Sequence, residues 1–109
     1  MSNLKDLIKI TKIKKLKFSP IDLDIMDIGG GIYRMFNDAN EVIYVGKSGN
    51  LQKRLLGHVG LDTHISHIMH EVKKIEWLVE QNPIFQSLLE TIFIAYHQPK
   101  YNDEVKDAK

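Results

Sequence analysis

The chain of 109 residues contains no cysteine. That excludes a disulfide framework and any thiolate metal site, so an apolar core must hold the fold. A chain of this length buries roughly 65% of its unfolded surface, enough for a core without covalent staples. It lacks any apolar run near the roughly 20 residues that span a bilayer. Its start has no apolar block followed by a small-residue cleavage site. No membrane partner is expected, and a cytoplasmic location is. Charge of one sign is also lacking: 15 Lys and Arg stand against 14 Asp and Glu, a net charge of +1. There are only three prolines, so each is informative as punctuation. Length alone argues for one domain.

The charges that are present are unevenly placed. Residues 1–17 hold Lys5, Lys9, Lys12, Lys14, Lys15 and Lys17 against Asp6, and Asp22, Asp24 and Asp27 follow. A basic segment of this kind either tracks phosphates, with Lys12, Lys14 and Lys15 as contacts, or forms a solvated helix face. Leu4, Leu7, Ile8 and Ile10 predict a short N-terminal helix. With Pro20 and the acidic run as connector, residues 1–28 read as a basic helix and linker.

Gly29-Gly30-Gly31 then opens a strand over 31–36, and a second follows over 42–45. Asn37-Asp38-Ala39-Asn40 between them is turn chemistry. A loop of those four residues pairs Phe36 with Glu41 and Tyr33 with Tyr44, setting both phenols on one face. An odd loop would separate them. Ile32, Phe36, Ile43 and Val45 would form the opposite, core face.

Ser48 or Asn50 can cap a short helix anchored by Leu51, Leu55 and Leu56, with Gly57 ending it. Arg54 and His58 share its face. A further helix after Asp62-Thr63 carries Ile65, Ile68, Met69 and Val72, and residues 74–79 alternate as a third strand. Asn82-Pro83 starts a long helix to about His97. Its apolar stripe is Phe85, Leu88, Leu89, Ile92, Phe93 and Tyr96, with Glu90 on the flank and Gln86 one turn earlier. Pro99 stops it. Residues 29–102 thus form the main unit, with a frayed tail over 103–109.

One ordered set of residues stands out. Gly31-Ile32-Tyr33 is followed by Tyr44-Val45-Gly46-Lys47, then Leu51-x-x-Arg54-Leu55, then His58, a lone helical Glu90, and Pro99-Lys100-Tyr101-Asn102. This pattern resembles the GIY-YIG nuclease family, and especially its incision domain in bacterial nucleotide-excision repair. The resemblance implies an α+β fold, a small three-stranded antiparallel sheet flanked by helices. It also implies a DNA endonuclease dependent on Mg²⁺ or Mn²⁺. Tyr33 and Tyr44 would be the active-site phenols, Arg54 the phosphate-binding cation and Glu90 the metal ligand. Lys47 matches the incision domain's lysine. His58 falls where relatives carry tyrosine or histidine. Gly31, Gly46 and Asn102 complete the motif as structural residues.

Elementary chemistry asks for the same groups. Phosphodiester cleavage builds charge on the non-bridging and leaving oxygens. A planar guanidinium holds such oxygens bidentately, and a divalent ion stabilises the leaving oxygen. A magnesium ion keeps several waters, so one carboxylate can suffice. The proton of the attacking water needs a base, and Tyr33 and His58 are the rivals. The other class of function is a non-catalytic nucleic-acid-binding module on the same scaffold. Little of the chain is left to read DNA sequence, so a protein partner supplying specificity is a further expectation. His64, His67 and His70 recur every three residues and suggest a zinc patch or a phosphate contact more weakly.

Overall fold

The structure, a computed structural model, describes residues 14–17, 29–59 and 65–102. The elements are β1 (Lys14–Lys17), β2 (Gly31–Phe36), β3 (Val42–Ser48), α1 (Leu51–Val59), a 3₁₀ helix (Ser66–Glu71), β4 (Lys74–Val79) and α2 (Pro83–His97). The expected three-stranded antiparallel sheet is present as β4-β2-β3, and β1 adds a fourth strand beyond β4. Part of the basic N-terminal segment is therefore built into the sheet. The helix expected from Leu4, Leu7, Ile8 and Ile10, and Lys12 beside it, lie outside the described residues, as does the tail from 103. No described helix is long and apolar enough to cross a membrane.

The β2–β3 hairpin departs from the expected register in an instructive way. Asn37 and Glu41 close the loop, with Asn37 N donating to Glu41 O at 3.0 Å. Asn40 takes the left-handed conformation at φ 63°, as a three-residue hairpin loop requires. The loop is thus Asp38–Asn40, odd in length, and Phe36 pairs with Val42. Alone this would put the two phenols on opposite faces. A bulge between Met35 and Phe36 in the pairing shifts the register once more, so that Tyr33 faces Gly46 and Met35 faces Tyr44. Tyr33 and Tyr44 end on one face after all, as diagonal rather than direct neighbours. The same bulge turns Ile43 into the core around Tyr33 and Tyr44, away from the Ile32–Val45 face assigned to it from alternation.

Both faces of the sheet are covered. On one, Tyr33, Met35, Tyr44 and Ile75 pack with Leu51 and Leu55 of α1 and Ile68 of the 3₁₀ helix. On the other, Ile32, Val45 and Leu78 pack with Phe93 of α2. Asn50 is the cap of α1, its Oδ1 accepting from Lys53 N at 3.0 Å. Gly57 does not end that helix, which continues to Val59. The segment carrying Ile68 and Met69 is a 3₁₀ helix rather than an α-helix. Asn82 caps α2 by accepting from Ile84 N and Phe85 N, with Pro83 in the first turn.

Helix α2 is rotated relative to its expected stripe. Phe93 is buried, but Phe85 and Leu88 are 51% and 52% exposed, and Tyr96 is exposed too. Gln86 is buried instead, its Nε2 donating to Glu80 O at 2.6 Å. Glu90, one turn after Gln86, therefore lies on the inward side of the helix and is half-buried. Trp77 is partly buried against the first core, and its Nε1 has no hydrogen-bond partner among the described residues.

Candidate active site

The centre of the site is a buried polar contact. Tyr33 is 3% exposed and His58 is fully buried. Their Oη and Nε2 atoms are 2.7 Å apart. Burial, the neighbouring Tyr44 and the carboxylate of Glu90 push the Tyr33 phenol well above its ordinary value, and Arg54 opposes them. The phenol thus stays protonated, and its Oη shares a hydrogen bond with His58 Nε2 at the base of the site. Tyr44 lies beside it, with ring centroids 6.2 Å apart. Its phenol is likewise raised by burial and by Glu90, with Arg54 again opposing.

Arg54 and Glu90 thus act on the same two phenols from different elements, α1 and α2. Arg54 sits exposed at the rim, while His58 one turn on is buried beneath it. The shared helix face places one residue at the opening of the site and the other at its base. Lys47 is exposed on β3, and its Nζ donates to Ser87 Oγ of α2 at 2.6 Å.

The glycines of the two triplets have a steric cause. A Cβ at Gly46 would collide with the Oη and Cζ atoms of Tyr33, which lies across that strand position. A Cβ at Gly31 would run into the backbone carbonyl of Leu78. Asn102 completes the arrangement: its Oδ1 accepts from Val45 N at 2.9 Å and its Nδ2 donates to Val45 O at 2.8 Å. It pairs with the outer edge of β3 as a further strand would.

A family model described as the UvrC-like GIY-YIG domain matches residues 29–103. The chain belongs to this family. Among curated relatives of this GIY-YIG domain, the UvrABC system protein C of Rickettsia bellii is 38% identical over 81 residues, covering 72% of this chain and 13% of that protein. The Coxiella burnetii protein of the same name is 36% identical over 89 residues, 80% of this chain and 15% of its own. The chain therefore spans a small part of the length of these relatives. The fold matches the N-terminal endonuclease domain of UvrC from Thermotoga maritima, in a structure bound to its catalytic divalent cation, magnesium. The TM-score is 0.63 at 24% identity, covering 94% of this chain and 99% of that one.

The structure brings Tyr33, Tyr44, His58, Arg54 and Glu90 of the GIY-YIG motif to one locality, with Lys47 beside α2. Lys14 and Lys15 lie on β1, across β4 and β2 from β3. Gln86 and Ser87 were not singled out as site residues by sequence reasoning. The signal for them is two adjacent polar residues among the apolar residues of the helix's first two turns, one turn before Glu90.

Among the described residues no group of three or more His, Asp or Glu side chains could hold a metal; His64, the first of the histidine run, lies outside the described residues. A lone carboxylate suits a hydrated hard cation, which takes few protein oxygens and keeps its waters. Glu90 fits that requirement.

Proposed function

We propose that this domain is a divalent-metal-dependent DNA endonuclease. The observation that carries the reading is the convergence of Arg54 and Glu90 on a buried Tyr33–His58 pair.

Arg54 holds the non-bridging phosphate oxygens through its planar fork, and Lys47 adds a second cation at the mouth of the site. Glu90 holds the divalent cation, Mg²⁺ or Mn²⁺, which when bound stabilises charge on the leaving oxygen. The Tyr33–His58 pair handles the proton. Tyr33 oxygen accepts a proton from the attacking water as its own passes to His58 Nε2, so the phenol need not ionise in its buried setting. The charge ends as an imidazolium on His58, the ring that takes the proton from Tyr33. Gly46 lets Tyr33 reach this position, and Asn102 braces the strand that carries Tyr44. Lys12, Lys14 and Lys15 add sequence-independent contacts to the DNA backbone. A protein partner supplies target choice.

The test is incubation with supercoiled plasmid, with and without Mn²⁺, beside Glu90→Gln. Nicking should require metal and vanish in Glu90→Gln, with melting temperature and DNA affinity retained. Salt-sensitive binding by a wild-type protein that never nicks would favour the non-catalytic binding module. Nicking by Glu90→Gln near the wild-type rate would remove Glu90 as the metal ligand.

A further inference from the structure

Ser87 stands three residues before Glu90 on α2, so the two side chains leave the same flank of the helix. Its neighbours in the first two turns, Ile84, Phe85 and Leu88, are exposed and apolar. The hydroxyl does not belong to that surface. It reaches from the helix to the strand, where Oγ accepts the hydrogen bond from Lys47 Nζ at 2.6 Å. Lys47 directly follows Gly46, against which Tyr33 lies. An exposed lysine is a compact charge on a four-carbon flexible stem. Without an anchor its ammonium samples many positions over the site.

We propose that Ser87 is a positioning residue: its hydrogen bond fixes the Lys47 ammonium beside Glu90, so that cation and carboxylate face the same phosphate. The inference rests on the endonuclease reading for its consequence, and on the Lys47–Ser87 contact for its substance. Ser87 touches neither substrate nor metal and acts only through Lys47. Its loss therefore costs less than removing a preorganised charge outright. The expected fall in kcat for Ser87→Ala is on the order of tenfold, against about 10²–10³ for a directly acting group.

The experiment compares Ser87→Ala, Ser87→Thr, Lys47→Ala and the double variant Lys47→Ala/Ser87→Ala. Nicking kinetics are measured at saturating plasmid with Mn²⁺. Ser87→Ala should lower kcat with KM for DNA and melting temperature unchanged. Ser87→Thr, which keeps the hydroxyl, should restore it. In the Lys47→Ala background Ser87→Ala should have no further effect. A second readout needs no activity: the ¹³C-dimethyl signal of Lys47 in reductively methylated protein, assigned by Lys47→Arg. That signal should move to the position of freely solvated lysines in Ser87→Ala. An unmoved Lys47 signal overturns the proposal, as does an equal loss of kcat from Ser87→Ala with and without Lys47. A wild-type protein that never nicks would fail the endonuclease reading instead, and the Lys47 signal would still decide whether Ser87 holds the ammonium.

Discussion

Asn102→Ala tests how β3 is held in place. In the strand order β1-β4-β2-β3, β3 is an edge. Val45 is fully buried, yet its backbone N–H and C=O point outward from that edge. Asn102 satisfies both, at 2.9 and 2.8 Å. Alanine removes two hydrogen bonds and leaves two partly buried backbone groups without partners. At about 0.5–1.5 kcal/mol net per bond, and more for a group left unsatisfied, the loss should be roughly 2–3 kcal/mol. For a domain of this size that corresponds to a fall in melting temperature of roughly 10–15 °C. Urea unfolding followed by Trp77 fluorescence should show a lower midpoint with an unchanged m-value. Amide exchange at Val45 should accelerate more than exchange at Met35 or Ile75. Asn102→Asp sharpens the test. A carboxylate can still accept from Val45 N but sets a second oxygen against Val45 O. The aspartate variant should be at least as unstable as alanine at neutral pH, and should recover part of the loss once its carboxyl protonates below about pH 4 and can donate. A loss under about 0.5 kcal/mol for alanine, or a fully stable aspartate variant at neutral pH, would refute the edge-pairing argument.

Other expectations follow from the site and its surroundings. Arg54→Lys should not rescue nicking, because a point charge cannot replace the bidentate fork; a fall of about 10²–10³ in kcat is expected, and a fully active lysine variant would mean that only net charge matters. Gly46→Ala should destabilise the protein by about 1–3 kcal/mol through overpacking against Tyr33; adding Tyr33→Phe should recover part of the stability by removing one colliding atom, without recovering nicking. His97 gives a pH dependence. It is half-buried, its Nε2 accepts from Arg34 at 2.9 Å, and Glu76 pairs with the same guanidinium at 2.6 Å. Burial and Arg34 lower its pKa from 6.5 to about 4, with Glu76 opposing. The folded state thus prefers the neutral imidazole. Its contribution is fully present above pH 6.5 and lost as pH falls through about 4. Discounted for solvent screening, this is worth about 1 kcal/mol. Urea midpoints from pH 7 down to 4 should fall less steeply in His97→Gln than in wild type; parallel curves would remove His97 from the balance.

Local chemistry made much of the domain legible in the sequence alone. Strands over 31–36 and 74–79 follow from alternation between turn residues. The helix over 83–97 follows from an asparagine cap, a proline in its first turn and a proline just beyond its end. The ordered motif is legible as a family signature in the sequence, because it is a list of residue types and spacings along the chain. The tertiary structure decided what depends on pairing across the chain. The two phenols share a face because an odd loop and a one-residue bulge compensate, and neither is visible in the alternation that each strand shows by itself. Helix α2 turns Gln86 and Glu90 inward, and leaves Phe85 and Leu88 outside, because Gln86 finds a backbone carbonyl at Glu80. An apolar-stripe argument cannot anticipate a buried polar anchor. The short strand at Lys14–Lys17 forms because β4 offers it an open edge, whereas its run of lysines reads from sequence as a phosphate-tracking arm or a solvated helix face. Helix spacing placed Arg54 and His58 together, but only packing under α1 made one a rim cation and the other the buried partner of Tyr33. A side chain's face is set by local period, whereas its burial and its partners are set by what the rest of the chain brings against it.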